Sequence, residues 1–217
     1  MVFGALNIFR LPLPERFRLL EPLAIFGLIM AYIWRFRVEH PWSWTFVLAA
    51  VLVSHLLRGE GPAAIGCRTQ EFTTCLRTYG PAVALIVAIG FGSALEWGTL
   101  RPMTTRAAAF ALLLYLPWGL LQQYLLNGYL LNRLEKGLSP AKAAPVAAAL
   151  FSLAHLPNWF LMIATLAGGY CANIVYRRHK NLYFLGLAHA VLGFTIFVAA
   201  PDWMIHHLRV GPGWFRR

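Results

Sequence analysis

Residues 116–134 read LPWGLLQQYLLNGYLLNRL. A run this apolar and this long asks for hydrocarbon as its solvent, because a bilayer core about 30 Å thick is crossed by roughly 20 mostly apolar residues in a helix. Yet Gln122, Gln123 and Asn127 place amides inside it. Gln123 and Asn127 are spaced i, i+4 and share a helix face, with Gln122 turned about 100° away, and Pro117 one turn upstream is positioned to kink the helix. Polar groups in lipid must be satisfied within the protein, so the amide face is expected to turn toward other helices.

The same texture extends along the chain. With 59% hydrophobic and 12% charged residues over 217 positions and a mean hydropathy of +0.60, there is too little polar surface to coat a soluble globule. The fold expected is an all-α, polytopic transmembrane bundle of about seven spans, near residues 19–36, 43–58, 79–97, 107–131, 143–156, 158–176 and 182–199. The second and fifth are short. Three parts are expected: N-terminal transmembrane helices and a surface linker over 1–78, a transmembrane core over 79–200, and a basic, aromatic interfacial tail over 201–217.

The formal charge of +11 does not indicate a nucleic-acid partner, because the basic residues sit at the ends of apolar spans and form no single tract. That distribution reports topology. With seven crossings, twelve Lys and Arg fall on the N-terminal side (Arg10, Arg16, Arg18, Arg58, Arg68, Arg77, Arg133, Lys136, Lys142, Arg177, Arg178, Lys180) and seven on the other (Arg35, Arg37, Arg101, Arg106, Arg209, Arg216, Arg217). The excess predicts a cytoplasmic N-terminus. The first apolar stretch is closed by Arg35 and Arg37 with no small-residue cleavage site, so it reads as a retained anchor. Cys67, Cys75 and Cys171 lack metal-ligand spacing and indicate no redox compartment.

Two imidazoles join the amides as candidates. His155 ends AAPVAAALFSLAHLPNWF just before Pro157 and Asn158, and His189 lies deep within NLYFLGLAHAVLGF. Taken singly, each amide or histidine is explained by interhelical hydrogen bonding alone. Their presence on three apolar spans points instead to one shared polar pocket. Glu96 and His55 lie near span ends and are expected to reach the interface. Glu135 stands twelve residues beyond Gln123, about 18 Å along a helix.

These strings, in this order, resemble the CPBP family of intramembrane proteases, also called the CAAX protease and bacteriocin-processing or ABI family. The family pattern is EExxxRG, then FxxxH, then HxxxN or HxxxD. The corresponding strings are Gln122-Gln123-Tyr-Leu-Leu-Asn127-Gly128, Phe151-Ser-Leu-Ala-His155 and His189-Ala-Val-Leu-Gly193. The resemblance covers residues 107–199 and implies an intramembrane endopeptidase acting on membrane-associated peptides, with a divalent metal proposed for some members. By it, Gln122, Gln123, Asn127, His155 and His189 are the catalytic candidates, His155 and His189 the ligands if a metal is bound, and Phe151 and Asn158 the substrate contacts. Both family glutamates are glutamines here, the arginine is Asn127, and the last motif ends in Gly193. An amide cannot take a proton from water as a carboxylate does. The alternatives are therefore a pseudoprotease that binds a membrane helix or peptide without chemistry, and a haem protein with His155 and His189 as axial ligands. The bilayer is the expected partner in every case.

Overall fold

The computed structural model describes residues 18–216. Arg10, Arg16 and Arg217, which enter the charge count above, lie outside that range. The described residues are helical, with no strand among them. In chain order they form α1 (Leu20–Ala31), continued by a π-helical turn at Tyr32–Phe36, then α2 (Trp44–Leu57), α3 (Phe72–Glu96) and α4 (Thr105–Gln123). A second π-helical stretch, Tyr124–Leu131, carries α4 into α5 (Asn132–Leu134), and α6 (Pro140–Leu153), α7 (Trp159–His179), α8 (Leu182–Ala199) and α9 (Asp202–Ile205) follow.

Four helices are long and apolar enough to cross a membrane: Phe72–Glu96, the continuous Thr105–Leu134 rod, Trp159–His179 and Leu182–Ala199. The chain is an integral membrane protein. Of the seven spans read from the sequence, the second and fifth correspond to the shorter apolar helices Pro41–Leu57 and Pro140–Leu153, and the first to the 12-residue α1 with its π turn. Four helices thus have the length of a span, and the other three apolar runs form shorter helices.

Polar caps set where the helices begin. Thr104 accepts from Ala107 N at the start of α4, Asn158 from Leu161 N at α7 and Asn181 from Phe184 N at α8, each satisfying an otherwise orphaned amide. Asn181 also donates to Arg68 O and Gln70 O, and Leu182 N bonds Gly66 O. The 58–71 loop is thereby stitched to the α7–α8 turn, more tightly than a surface linker requires.

The core is built on close approach of α4 and α8. A Cβ on Gly119 would stand 2.6 Å from Gly186 O and 2.9 Å from Ala190 N, and one on Gly186 would stand 2.9 Å from Leu120 Cα. Small residues let the backbones meet, the usual device where lipid supplies no hydrophobic force between helices. Gly119 lies one turn before Gln123, and Gly186 three residues before His189, so this contact fixes the distance between those side chains. Gly119→Ala is expected to cost about 1–3 kcal/mol through overpacking, read as a lower unfolding midpoint in detergent. An unchanged midpoint would mean that the two helices are not held this closely.

The N-terminal helices are docked by charge. Arg133, 1% exposed, donates Nη1 to Glu60 Oε1 at 2.9 Å and Nη2 to Glu60 Oε2 at 2.7 Å. Its Nε reaches Glu21 Oε1 at 3.2 Å and its Nη2 donates to Ser54 Oγ at 3.0 Å. Arg58 and Ser54 also contact Glu21, Tyr129 donates to it, and Lys136 donates to Glu60 at 2.7 Å. His55 completes the cluster by donating Nδ1–H to Glu60 Oε2 at 2.7 Å. The sequence reading sends His55 to the interface, but it is 4% exposed, because Glu60 folds back over the end of α2 to meet it. Glu96, by contrast, is exposed as expected.

Burial pushes the Glu60 carboxyl up, but hydrogen bonds from His55, Arg133 and Lys136 outweigh it and hold the group well below the usual carboxylate range. A group depressed in the folded state adds stability above its unfolded pKa of about 4.3 and loses it as pH falls toward the folded value. The difference in unfolding midpoint between wild type and Glu60→Gln is therefore expected to stay constant from pH 7 to pH 5 and to shrink only in stronger acid. A difference that closes above pH 5 would contradict this arrangement.

Candidate functional site

Three of the expected residues form a single relay. Asn127 Nδ2 donates to Gln123 Oε1 at 2.7 Å, and Gln123 Nε2 meets His189 Nδ1 at 3.2 Å. Asn127 is fully buried and Gln123 is 4% exposed. The i, i+4 spacing does bring these amides to one face, although the π-helical stretch Tyr124–Leu131 begins just after Gln123 and contains Asn127. π segments are rare and often accompany functional sites.

His155 reaches the same neighbourhood through the end of α6. There the helix tightens: His155 N bonds Ser152 O, leaving Phe151 O for the imidazole, whose Nδ1–H donates to it at 2.8 Å. The Phe151 ring touches both imidazoles, with centroids 5.0 Å from His155 and 6.2 Å from His189. Three helices meet here: α4 with its π continuation, α6 and α8.

With the amides oriented as they are in the structure, these bonds assign one tautomer to each ring. An amide NH₂ only donates, so His189 Nδ1 must accept and the neutral ring carries its proton on Nε2. A carbonyl only accepts, so neutral His155 is protonated on Nδ1 and keeps the Nε2 lone pair. One ring offers a base and the other a donor.

Gln122 lies apart from the relay, and its buried Oε1 has no hydrogen-bond partner among the described residues; neither has Asn127 Oδ1. Asn158 is fully buried and its amide is committed: besides capping α7 it donates to Ile205 O at 2.8 Å and Arg209 O at 3.1 Å. At Gly193 a Cβ would come within 3.2 Å of the Tyr115 ring, so Tyr115 stands beside the place where the family motif carries Asn or Asp. Sequence reading gives no sign of Tyr115, because the contact joins α4 to α8 across the bundle.

The residues do not fit a catalytic zinc. Such a site takes three protein ligands, whereas no group of three His, Cys, Asp or Glu among the described residues is disposed to hold a metal ion. His189 Nδ1 is already engaged by the Gln123 amide.

Residues 104–195 match the family model described as Type II CAAX prenyl endopeptidase Rce1-like. Over this stretch the chain is similar to that family. The stretch begins at the Thr104 cap of α4 and ends within α8, so the Rce1-like segment contains the whole relay, Phe151 and His155. No curated protein and no solved structure matches the chain.

Proposed function

We propose that the chain is a CPBP-type intramembrane endopeptidase acting on membrane-associated peptides, with His155 as its base. The observation that supports this most is the complementary protonation of the two imidazoles around Phe151. In the reaction, His155 Nε2 takes a proton from water, the resulting hydroxide adds to the scissile carbonyl carbon, and His189 Nε2–H donates to the carbonyl oxygen as it gains charge. The proton on His155 then passes to the amide nitrogen as the C–N bond breaks, leaving a carboxylic acid and an amine. Gln123 and Asn127 hold His189 in its donor tautomer, Gln122 offers its free carbonyl oxygen to the water, and Phe151 forms an apolar wall for the peptide. Asn158 supports the turn behind His155.

The glutamines at 122 and 123 favour a second reading, a pseudoprotease that retains the pocket for a membrane helix or peptide. Cleavage of membrane peptides in detergent by wild type, His155→Ala and His189→Ala separates the two. Turnover that falls in both variants supports the protease. Equal background in all three supports binding alone. The axial-haem reading requires lone pairs on both Nε2 atoms, which the Gln123 bond to His189 opposes; a Soret band in the purified protein would restore it.

A further inference from the structure

The C-terminal tail folds back on the π turn that ends α1. Gly211 has φ +59°, and a Cβ there would lie 2.8 Å from Ile33 Cγ2 and 3.0 Å from Ile33 O, so only glycine passes. Beside this contact opens a cleft of about 410 Å³ lined by Ile33, Val38 and Val210 together with Arg37, Arg209 and Arg216. Among the described residues, no carboxylate lines it. Glu39, next to the cleft in sequence, is paired with Arg35, and Asp202 in the tail is paired with Arg101 and His207. Among the described residues, neither Arg37 nor Arg216 has an acidic partner. Arg209 Nη1 donates to Arg216 O at 2.7 Å, which shapes the tail side of the cleft.

Three cationic residues lining one opening, with no acidic lining residue among those described, favour an anion there. Guanidinium forks match phosphate oxygens bidentately. The surroundings indicate which phosphate: Trp34 and Phe36 on one side and Phe215 on the other are 41%, 42% and 69% exposed, as suits aromatic residues at the headgroup level of a bilayer. We propose that this cleft binds the phosphate of an anionic phospholipid headgroup, with Arg37, Arg209 and Arg216 as its ligands. Binding would join the end of α1 to the tail. The tail in turn holds the turn that bears His155, through Gly211 N to Leu156 O at 2.7 Å and Asn158 to Arg209 O.

The test is native mass spectrometry of the full chain in detergent, titrated with phosphatidylglycerol or phosphatidylcholine. Phosphatidylglycerol is expected to bind preferentially. Arg37→Gln/Arg216→Gln should weaken it about 30-fold, from two charges each worth several-fold at a membrane surface. Arg106→Gln, which removes an arginine outside the cleft, should leave it unchanged. Neither Arg37 nor Arg216 makes a side-chain hydrogen bond to a described residue, so an unchanged unfolding midpoint is expected for the double variant. Equal affinity for the two lipids, undiminished binding in the double variant or an equal loss in Arg106→Gln would overturn the proposal. Displacement of the lipid by millimolar inorganic phosphate would overturn the lipid source and leave a site for free phosphate.

Discussion

Arg133→Met is expected to lower the unfolding midpoint in detergent by roughly 10 °C, corresponding to about 3 kcal/mol for a chain of this size. The magnitude follows from what remains after the substitution. Glu60 loses a bidentate partner and Glu21 loses the Nε contact, while both carboxylates stay largely buried. Removing one member of a buried pair typically costs about 3–5 kcal/mol, because the other charge is left without compensation. Lys136 still reaches Glu60 and Arg58 still reaches Glu21, which puts the expected loss at the lower end. Arg133→Met/Glu60→Gln should recover part of it by removing the stranded charge. A midpoint unchanged in the single variant would show that the N-terminal helices are held by apolar packing alone.

The largest effect on activity is expected from the base. If the chain cleaves peptides as proposed, His155→Ala should reduce kcat by about 10² to 10⁴, the usual contribution of a positioned general base. His189→Ala, which removes one donor to the oxyanion, should cost about 10² to 10³. The polarity of the relay gives a sharper test. In Gln123→Glu the carboxylate would accept from His189 Nδ1–H and so move the lone pair to Nε2, reversing the role of that ring. Nitrogen NMR on labelled histidine should find His189 protonated at Nε2 in wild type and at Nδ1 in Gln122→Glu/Gln123→Glu/Asn127→Arg, where the arginine offsets one of the two new charges. The triple variant should also hydrolyse faster than wild type. Wild-type protonation at Nδ1 would remove the basis for assigning His189 as a donor.

The sequence made the helical class legible, because hydrophobic runs of membrane length have few other readings. It also made the face shared by Gln123 and Asn127 legible, since that relation is local and needs only helical geometry. The convergence of His155 and His189 on that face came from motif order, and Phe151 proved to be the ring touching both. Asn158, a substrate contact by the motif resemblance, caps α7 and grips the tail with its amide. What stayed hidden is long-range. Arg133 pairs with Glu21 and Glu60, 112 and 73 positions away, and nothing local distinguishes it from the loop arginines that report topology. His55 was unreadable for the same reason, since its burial depends on a loop closing over it. The close contact of Gly119 with Gly186 leaves only two ordinary glycines in the text.

The π-helical stretch has one more consequence. Hydrogen bonding from i to i+5 makes each of its turns wider than the surrounding ones, so the rod's two ends are rotated relative to each other by an amount that depends on residue number. Losing one residue between Tyr124 and Leu131 would turn everything beyond it by about 100°, and Arg133 would swing away from Glu60 even though every side chain in the amide relay was retained. The length of this stretch is therefore under two constraints at once, and natural variants of the chain should tolerate substitutions there far better than single insertions or deletions.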